Sequence, residues 1–358
     1  MNRETALRDL SHGQPDVRRR AARVLGRWSD DQVLSALTGA LQSPDRGIRE
    51  AATDTLLEIG DARTVRLLLP LLRSSAPATR NSARLLLQRL SKAAPELLVE
   101  LSRDPDVRMR VFAANIMAES GDHDLSGPLL ELLEDPDENV RDAAVVGLGR
   151  LGAPEAVRRL ETFATEGASW IRFSAIDALS QIGSAEATRA LIRLLDQASP
   201  ELQEPVIDAL GRQGSPEAIV PLLQKLNAAA SLGPAIAAVL VDSLASDVPS
   251  RAKDVDRASL ARALSRALED GSFGPERAVA ALDLLAELGV PDEGGGVTRQ
   301  LTSPDPTVQG AAIRAALTLR LTDAVPVLRE LQNVCDPTLA KEIHAVLASL
   351  GAPRKESL

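Results

Sequence analysis

The residues best able to do chemistry are few and scattered. His12, His123 and His344 are the only histidines. None stands in a ligand spacing such as H-E-x-x-H, where two imidazoles one turn apart hold zinc beside a general base. Cys335 is the single cysteine, which excludes an internal disulfide framework and fits a reducing compartment; it reads as a small residue at the turn before Asp336 and Pro337. The string Gly147-Leu148-Gly149-Arg150-Leu151-Gly152 has the G-x-G-x-x-G form of a dinucleotide fingerprint. Those glycines serve a nucleotide only where they follow a strand and open a helix, and here they close one. No nucleophile, acid and base converge, so no catalytic residue, metal site or cofactor is expected, and the expected role is binding rather than catalysis.

Charge offers more. Arg18, Arg19, Arg20, Arg23 and Arg27 crowd one short stretch beside Asp16. Arg19, Arg23 and Arg27 fall at i, i+4 spacing on one helix face, and with Arg20 they form a candidate basic patch. Residues 122–142 hold Asp122, Asp124, Glu131, Glu134, Asp135, Asp137, Glu138 and Asp142 against the single base Arg141. Charge runs are ordinarily solvated faces; as functional patches they would steer and orient a partner. The net charge of -9 argues against general nucleic-acid binding, which needs a positive surface, leaving only the N-terminal arginines as a route to it. The N-terminus runs straight into polar residues, without the apolar core of a signal peptide. The weakly polar stretch 228–241 is interrupted by Gly233 and Pro234 and is too short to span a bilayer. A cytoplasmic protein without membrane insertion is expected.

The elements that position these residues are helical and repeated. Aromatic residues make up only 2% of the chain, with no Tyr, so the core must be aliphatic. Leu and Ala, both strong helix formers, dominate, and Val and Ile never alternate as strands require. From Val140 to Gly152, apolar residues recur at spacings of four, four and three before a closing glycine, which marks one amphipathic helix. The same stripe begins at Val17, Ile48, Thr79, Met109, Val140, Ile171 and Leu202, in steps of 31, 31, 30, 31, 31 and 31 residues. Gly121, Gly152, Gly183 and Gly214 tick at the same period, and Gly289 and Gly351 lie two periods apart. A second amphipathic segment separates each glycine from the next stripe, so each unit is two helices joined by Asp/Pro turns such as Asp104-Pro105-Asp106.

These residues resemble the HEAT-repeat family, in particular the short bacterial form often called phycobilisome-lyase-like HEAT repeats, with a pattern like Asp-x-x-Val-Arg-x-x-Ala-x-x-x-Leu-x-x-Leu-Gly. The resemblance is clearest over 15–214 and returns at 277–289, 308–319 and 339–351. It implies an all-α, right-handed α-solenoid, an armadillo-like superhelix of about eleven helix-pair repeats whose stability comes from stacking. Residues 1–245 would hold repeats one to eight, 246–272 an insertion and the helix of a degenerate repeat, and 273–358 repeats nine to eleven, in one continuous solenoid. The insertion near Ser246 to Ser259 and the stretch Pro291 to Gly296 read as hinges. The resemblance also implies that Arg18, Arg49, Arg80, Arg110, Arg141 and Arg172 form a structural ladder with turn aspartates Asp45, Asp106 and Asp137. The ladder lapses to Gln203, Ala278, Gln309 and Ala340.

In the resembled fold the second helix of each pair lines the concave side. At about 100° per residue, its second, fifth, sixth and ninth positions after the stripe's start point away from the core. In repeats four to six these are Val111, Ala114, Asn115 and Ala118; Asp142, Val145, Val146 and Gly149; and Phe173, Ile176, Asp177 and Ser180. That apolar strip is the expected docking surface for a helix or extended segment of a partner protein, the alternative being that the fifth positions, Ala114, Val145 and Ile176, at the edge of the arc, pack against the adjoining repeat; Trp28 and Trp170 are expected to pack internally. The expected function is a non-catalytic scaffold or adaptor. The alternatives are an enzyme or enzyme subunit of the bilin-lyase-like HEAT type, and nucleic-acid binding through the N-terminal arginines.

Overall fold

A computed structural model describes residues 1–228, 232–244, 257–333 and 337–350. The fold is all-α, with no strand among the described residues. It divides into two compact units, Met1–Ala187 and Thr188–Leu358. The first holds α1 (Arg3–His12), α2 (Pro15–Leu25), α3 (Asp31–Ala40), α4 (Arg46–Ile59), α5 (Ala62–Leu68), α6 (Pro77–Arg89), α7 (Pro95–Leu101), α8 (Val107–Glu119), α9 (Ser126–Leu132), α10 (Glu138–Leu151), α11 (Val157–Glu166) and α12 (Ser169–Ile182). The later helices are α13 (Ala185–Gln197), α14 (Pro200–Gln213), α15 (Ile219–Ala228), α16 (Gly233–Leu244), α17 (Arg257–Glu269), α18 (Pro275–Leu288), α19 (Gly295–Gln300), α20 (Pro306–Leu319), α21 (Val325–Gln332) and α22 (Pro337–Leu350). None of the described helices is long and apolar enough to cross a membrane.

The helices start and stop where their sequences say they should. Asp30, Asp45, Asp61, Asp106, Asp137 and Asp305 are N-caps whose carboxylates accept backbone N–H bonds of the first turn. The periodic glycines sit just past helix ends with φ between 61° and 67°, as at Gly183 and Gly289. Arg320 fills the equivalent place after α20 at φ 53°, the single non-glycine in that region among the described residues.

The core is aliphatic. Within the first unit, Val33, Leu34, Leu37, Val65, Leu68, Leu98 and Leu160 from first helices meet Ile48, Leu56, Leu86, Met109, Val140, Leu148 and Leu179 from second helices, all almost fully buried. Each such side chain contributes about 1.5–3 kcal/mol of burial. Successive second helices also pack on one another, α10 against both α8 and α12. All six aromatic side chains, by contrast, reach the surface, and Trp170 and Phe173 are the most exposed.

The arginine ladder differs from the expected one. Arg49 Nη1 donates to the carbonyls of Ser43 and Pro44, Arg80 to Ser74 and Ser75, Arg110 to Asp104 and Pro105, and Arg141 to Asp135 and Pro136. Arg18 and Arg172 donate through Nε to Leu10 and Gly167. The rungs are therefore backbone carbonyls of the preceding turn or helix end, and Arg110 adds to them the carboxylate of Asp135. Asp45, Asp106 and Asp137 cap helix N-termini instead, because a short carboxylate after a turn is within reach of the first free N–H groups; the guanidinium groups that Asp106 also meets are those of Arg73 and Arg108, not of the ladder. Gln309 Nε2 donates to Leu301 O at 2.8 Å, the same eight-residue reach as Arg18 to Leu10, so the lapse from Arg to Gln keeps the tie.

Pro291 to Gly296, expected as a flexible hinge, is packed. Gly296 N donates to Ser265 Oγ at 2.7 Å, and a Cβ on Gly296 would lie 2.5 Å from Ser265 O. The glycines let α19 approach α17 rather than loosen the chain. The other expected hinge falls largely on 245–256, and Cys335 on 334–336; both lie outside the described residues, as does Gly351.

Candidate partner-binding surface

The second helices of repeats four to six, α8, α10 and α12, form one packed row in the first unit. Their outer positions divide into two classes. Ala114, Ala118, Val145, Gly149, Ile176 and Ser180 are buried, so the strip is narrower than helical periodicity predicts, and the fifth positions Ala114, Val145 and Ile176 follow the alternative of packing within the stack. The reason is lateral packing. A Cβ at Gly149 would stand 2.6 Å from Ala178 Cα of α12, and one at Gly147 would stand 3.2 Å from Leu129 of α9 and 3.3 Å from Ala118 Cβ of α8, so neighbouring helices close both flanks of α10. A helix flanked on both sides exposes a narrower arc than a single amphipathic helix.

The arc that remains is Val111 and Asn115 on α8, Asp142 and Val146 on α10, and Phe173 and Asp177 on α12. Phe173 is 45% exposed, and Trp170, one turn before it, is 51% exposed. Trp170 is thus not the packing residue expected: it precedes Ile171, the first buried position of its helix; Trp28 is half-buried. Asp142 Oδ1 is buried and receives no hydrogen bond from the protein. A buried acceptor left so costs free energy until a donor meets it.

Two ion-pair systems hold this row. Glu119 at the end of α8 pairs with Arg84 of α6 and, at 3.6 Å, with Arg150 of α10. Arg110 closes its Nε and Nη2 on both oxygens of Asp135, at 2.7 and 2.9 Å. Burial pushes the Asp135 carboxyl up, but the hydrogen bonds from Arg110 and from the Asp137 N–H, with the nearby Arg141 charge, outweigh it and hold the group below the usual carboxylate range.

The acidic run is mostly absorbed by structure. Asp135 is taken by Arg110, Glu131 pairs with Arg103, Glu134 with Arg159 and Glu138 with Arg141, while Asp122 and Asp137 cap helical turns. At the N-terminus, Arg19 pairs with Asp16 and lies over Gly47 of the next repeat. Arg20, Arg23 and Arg27 are exposed, with no ion partner among the described residues. The three histidines are exposed on separate elements, and the described residues contain no group of three or more His, Cys, Asp or Glu side chains placed to hold a metal ion. Clefts of about 630, 500 and 310 Å³ open in this unit, the last two sharing Arg141, Thr162 and Phe163.

Residues 4–88, 94–180 and 164–245 match the model of the HEAT repeats. Over 68 residues the chain is 46% identical to the bilin biosynthesis protein PecE of Mastigocladus laminosus, which covers 19% of this chain and 25% of that protein. The chain thus aligns with about a quarter of that relative's length. Among solved structures, Kap121p superposes with a TM-score of 0.52 at 14% identity, covering 97% of this chain and 45% of that one. Kap121p bound to Nup53p gives 0.53 at 13% identity with the same coverage. At such identities the likeness is one of fold, an all-α solenoid.

Proposed function

Because the chain belongs to the HEAT-repeat family, whose solenoid fold suits protein interaction, we propose that it is a non-catalytic scaffold. It holds a segment of a partner protein on the exposed arc of α8, α10 and α12. The observation that carries this reading is the aromatic pair Trp170 and Phe173, the most exposed aromatic residues of a chain that has only six. Exposed aromatic side chains are expensive to leave in water and anchor interfaces more often than any other type except arginine. Val111, Val146 and Phe173 supply apolar area, and Asn115 and Asp177 supply polar contacts. Arg20, Arg23 and Arg27 orient the partner at longer range. The test is retention of partners from native lysate by the wild-type chain and by Phe173→Asp with Val146→Asp. A protein lost only with the double variant supports the reading; retention unchanged by the two substitutions refutes it.

A second reading, a part in bilin biosynthesis, is favoured by the likeness to PecE. Titration with a linear tetrapyrrole, followed by its visible absorption, separates the two. A saturable spectral change at stoichiometric protein would support the second reading.

A further inference from the structure

The cleft of about 630 Å³ in the first unit lies where α6 and α8 meet, at the only 30-residue step among the first six intervals of the repeat. The preceding first helix is short, and a 3-10 turn, Leu69–Arg73, continues it. Leu72 and Met109 form a buried floor, while Val107, Val111 and Phe112 are half-exposed at the lip. Its volume falls within the range of about 300–1,000 Å³ typical of ligand clefts.

Three arginines and no acidic residue complete the lining. Arg73 is already paired with Asp104 and Asp106, and Arg108 with Asp106. Arg80 differs. Its Nη1 donates to Ser74 O at 2.7 Å and Ser75 O at 3.0 Å, and its Nε and Nη2 have no acceptor among the described residues. One repeat on, Arg110 makes the same turn contacts through Nη1 and closes the remaining Nε and Nη2 edge on a carboxylate, Asp135. The counterpart of Asp135 beside Arg80 is Asp104, 31 residues earlier, and Arg73 has taken it. The molecule itself therefore shows what the open edge of Arg80 fits: a carboxylate in bidentate geometry, next to apolar surface.

We propose that this cleft docks a short acidic and apolar segment of a partner protein. A large apolar side chain enters between Val107, Val111 and Phe112, and an aspartate or glutamate close to it in sequence closes on Arg80. The proposal rests on the scaffold reading and adds a second contact to it, since Val111 is shared by the cleft and the exposed arc. A phosphate of a nucleic acid would satisfy the guanidinium but leave the apolar floor uncovered, and the chain's net charge of -9 opposes it.

The test uses the full chain as bait for a phage-displayed library of random dodecapeptides. Enriched peptides are then synthesised and their affinities measured by fluorescence polarisation against wild type, Arg80→Lys, Val107→Asp and Phe173→Asp. Lysine keeps the charge and a turn contact but not the planar fork. An aspartate at Val107 sits at the first position of α8, where the helix dipole favours it, so the variant folds while an acidic ligand is repelled. The expected result is a consensus of an acid within a few residues of Leu, Ile, Phe or Trp, weakened about tenfold or more by Arg80→Lys and by Val107→Asp. Phe173→Asp should leave that affinity within about twofold. No enrichment, a basic consensus, or affinity indifferent to both cleft variants overturns the proposal. Loss confined to Phe173→Asp overturns it while sustaining the scaffold reading. Binding of a labelled single-stranded oligonucleotide that is abolished by Arg80→Lys overturns it in favour of a phosphate ligand.

Discussion

The same substitution at two helical glycines should move stability in opposite directions. Gly39 lies in the last turn of α3 and Gly149 in that of α10; neither has positive φ. Glycine to alanine inside a helix normally gains about 0.5–1 kcal/mol, through propensity and a less free unfolded chain. At Gly39 a Cβ meets nothing within 4 Å, so Gly39→Ala should gain about 0.5 kcal/mol, the low end because the site is near the helix end. At Gly149 the Cβ would stand 2.6 Å from Ala178 Cα and 2.7 Å from Ala178 Cβ. Carbon contacts settle near about 3.5–4.0 Å, so α12 must withdraw by about 1 Å along a packed seam. Overpacking of that kind costs about 1–3 kcal/mol, which exceeds the propensity gain, and Gly149→Ala should lose about 1–2 kcal/mol net. Urea denaturation followed by far-ultraviolet circular dichroism measures both, with midpoints compared in one buffer because repeat arrays can depart from all-or-none unfolding. If Gly149→Ala raises the midpoint as Gly39→Ala does, α10 and α12 are not in close contact. The burial of Val145 and Ile176 then falls with that contact, and the wider apolar strip is restored.

Three further outcomes follow from the same geometry. Val145→Asp should unfold the first unit or cost several kcal/mol, whereas Phe173→Asp should leave the melting temperature within about 1 °C, because the first side chain is fully buried and the second is not. Asp135→Asn removes the charge facing Arg110 in a pair whose side chains are 7% and 13% exposed, and should cost about 3 kcal/mol by equilibrium unfolding. The Asp135 carboxyl is held below its ordinary value in the folded state, so its stabilisation is complete above about pH 4 and is lost as pH falls through the folded value; an acid titration of stability should show wild type losing its advantage over Asp135→Asn in that window. Leu148→Ala, at a fully buried stripe position of α10, should cost about 2–5 kcal/mol in the same unfolding experiment.

What was legible in the sequence is what depends on one chain segment at a time. The period of the stripe, the capping aspartates and the closing glycines are local signals, and Asp137, Val140 and Gly152 do in the structure what their types demand. Lateral packing is not local. Whether Val145 faces water or α12 depends on a helix about thirty residues away, and no wheel drawn on α10 alone contains it. A clue is present in Gly147 and Gly149, since glycines inside a helix imply close neighbours, here α8 and α9 on one side and α12 on the other. The ladder failed for a related reason. The resemblance names arginines and aspartates as partners, but Asp45, Asp106 and Asp137 cap the unfilled backbone donors that follow them, and the guanidinium groups that Asp106 also meets belong to Arg73 and Arg108, outside the ladder.

The aromatic residues show how composition could have located the site more sharply than periodicity did. A core built by repetition fills with Leu, Ala, Val and Ile, because each repeat offers the same small slot between the same neighbours and a ring fits none of them without disturbing the stack. In such a chain an aromatic residue is an exception to the packing rule, so its default place is the surface, the reverse of the expectation for an ordinary globular core. Four of the six aromatics, Phe112, Phe163, Trp170 and Phe173, fall within repeats four to six. Phe112 lines the cleft beside Arg80, Phe163 lines the two clefts beside Arg141, and Trp170 and Phe173 stand on α12. The scarcity that first defined the core as aliphatic also marks, by its exceptions, the stretch of this chain where a partner has most to hold.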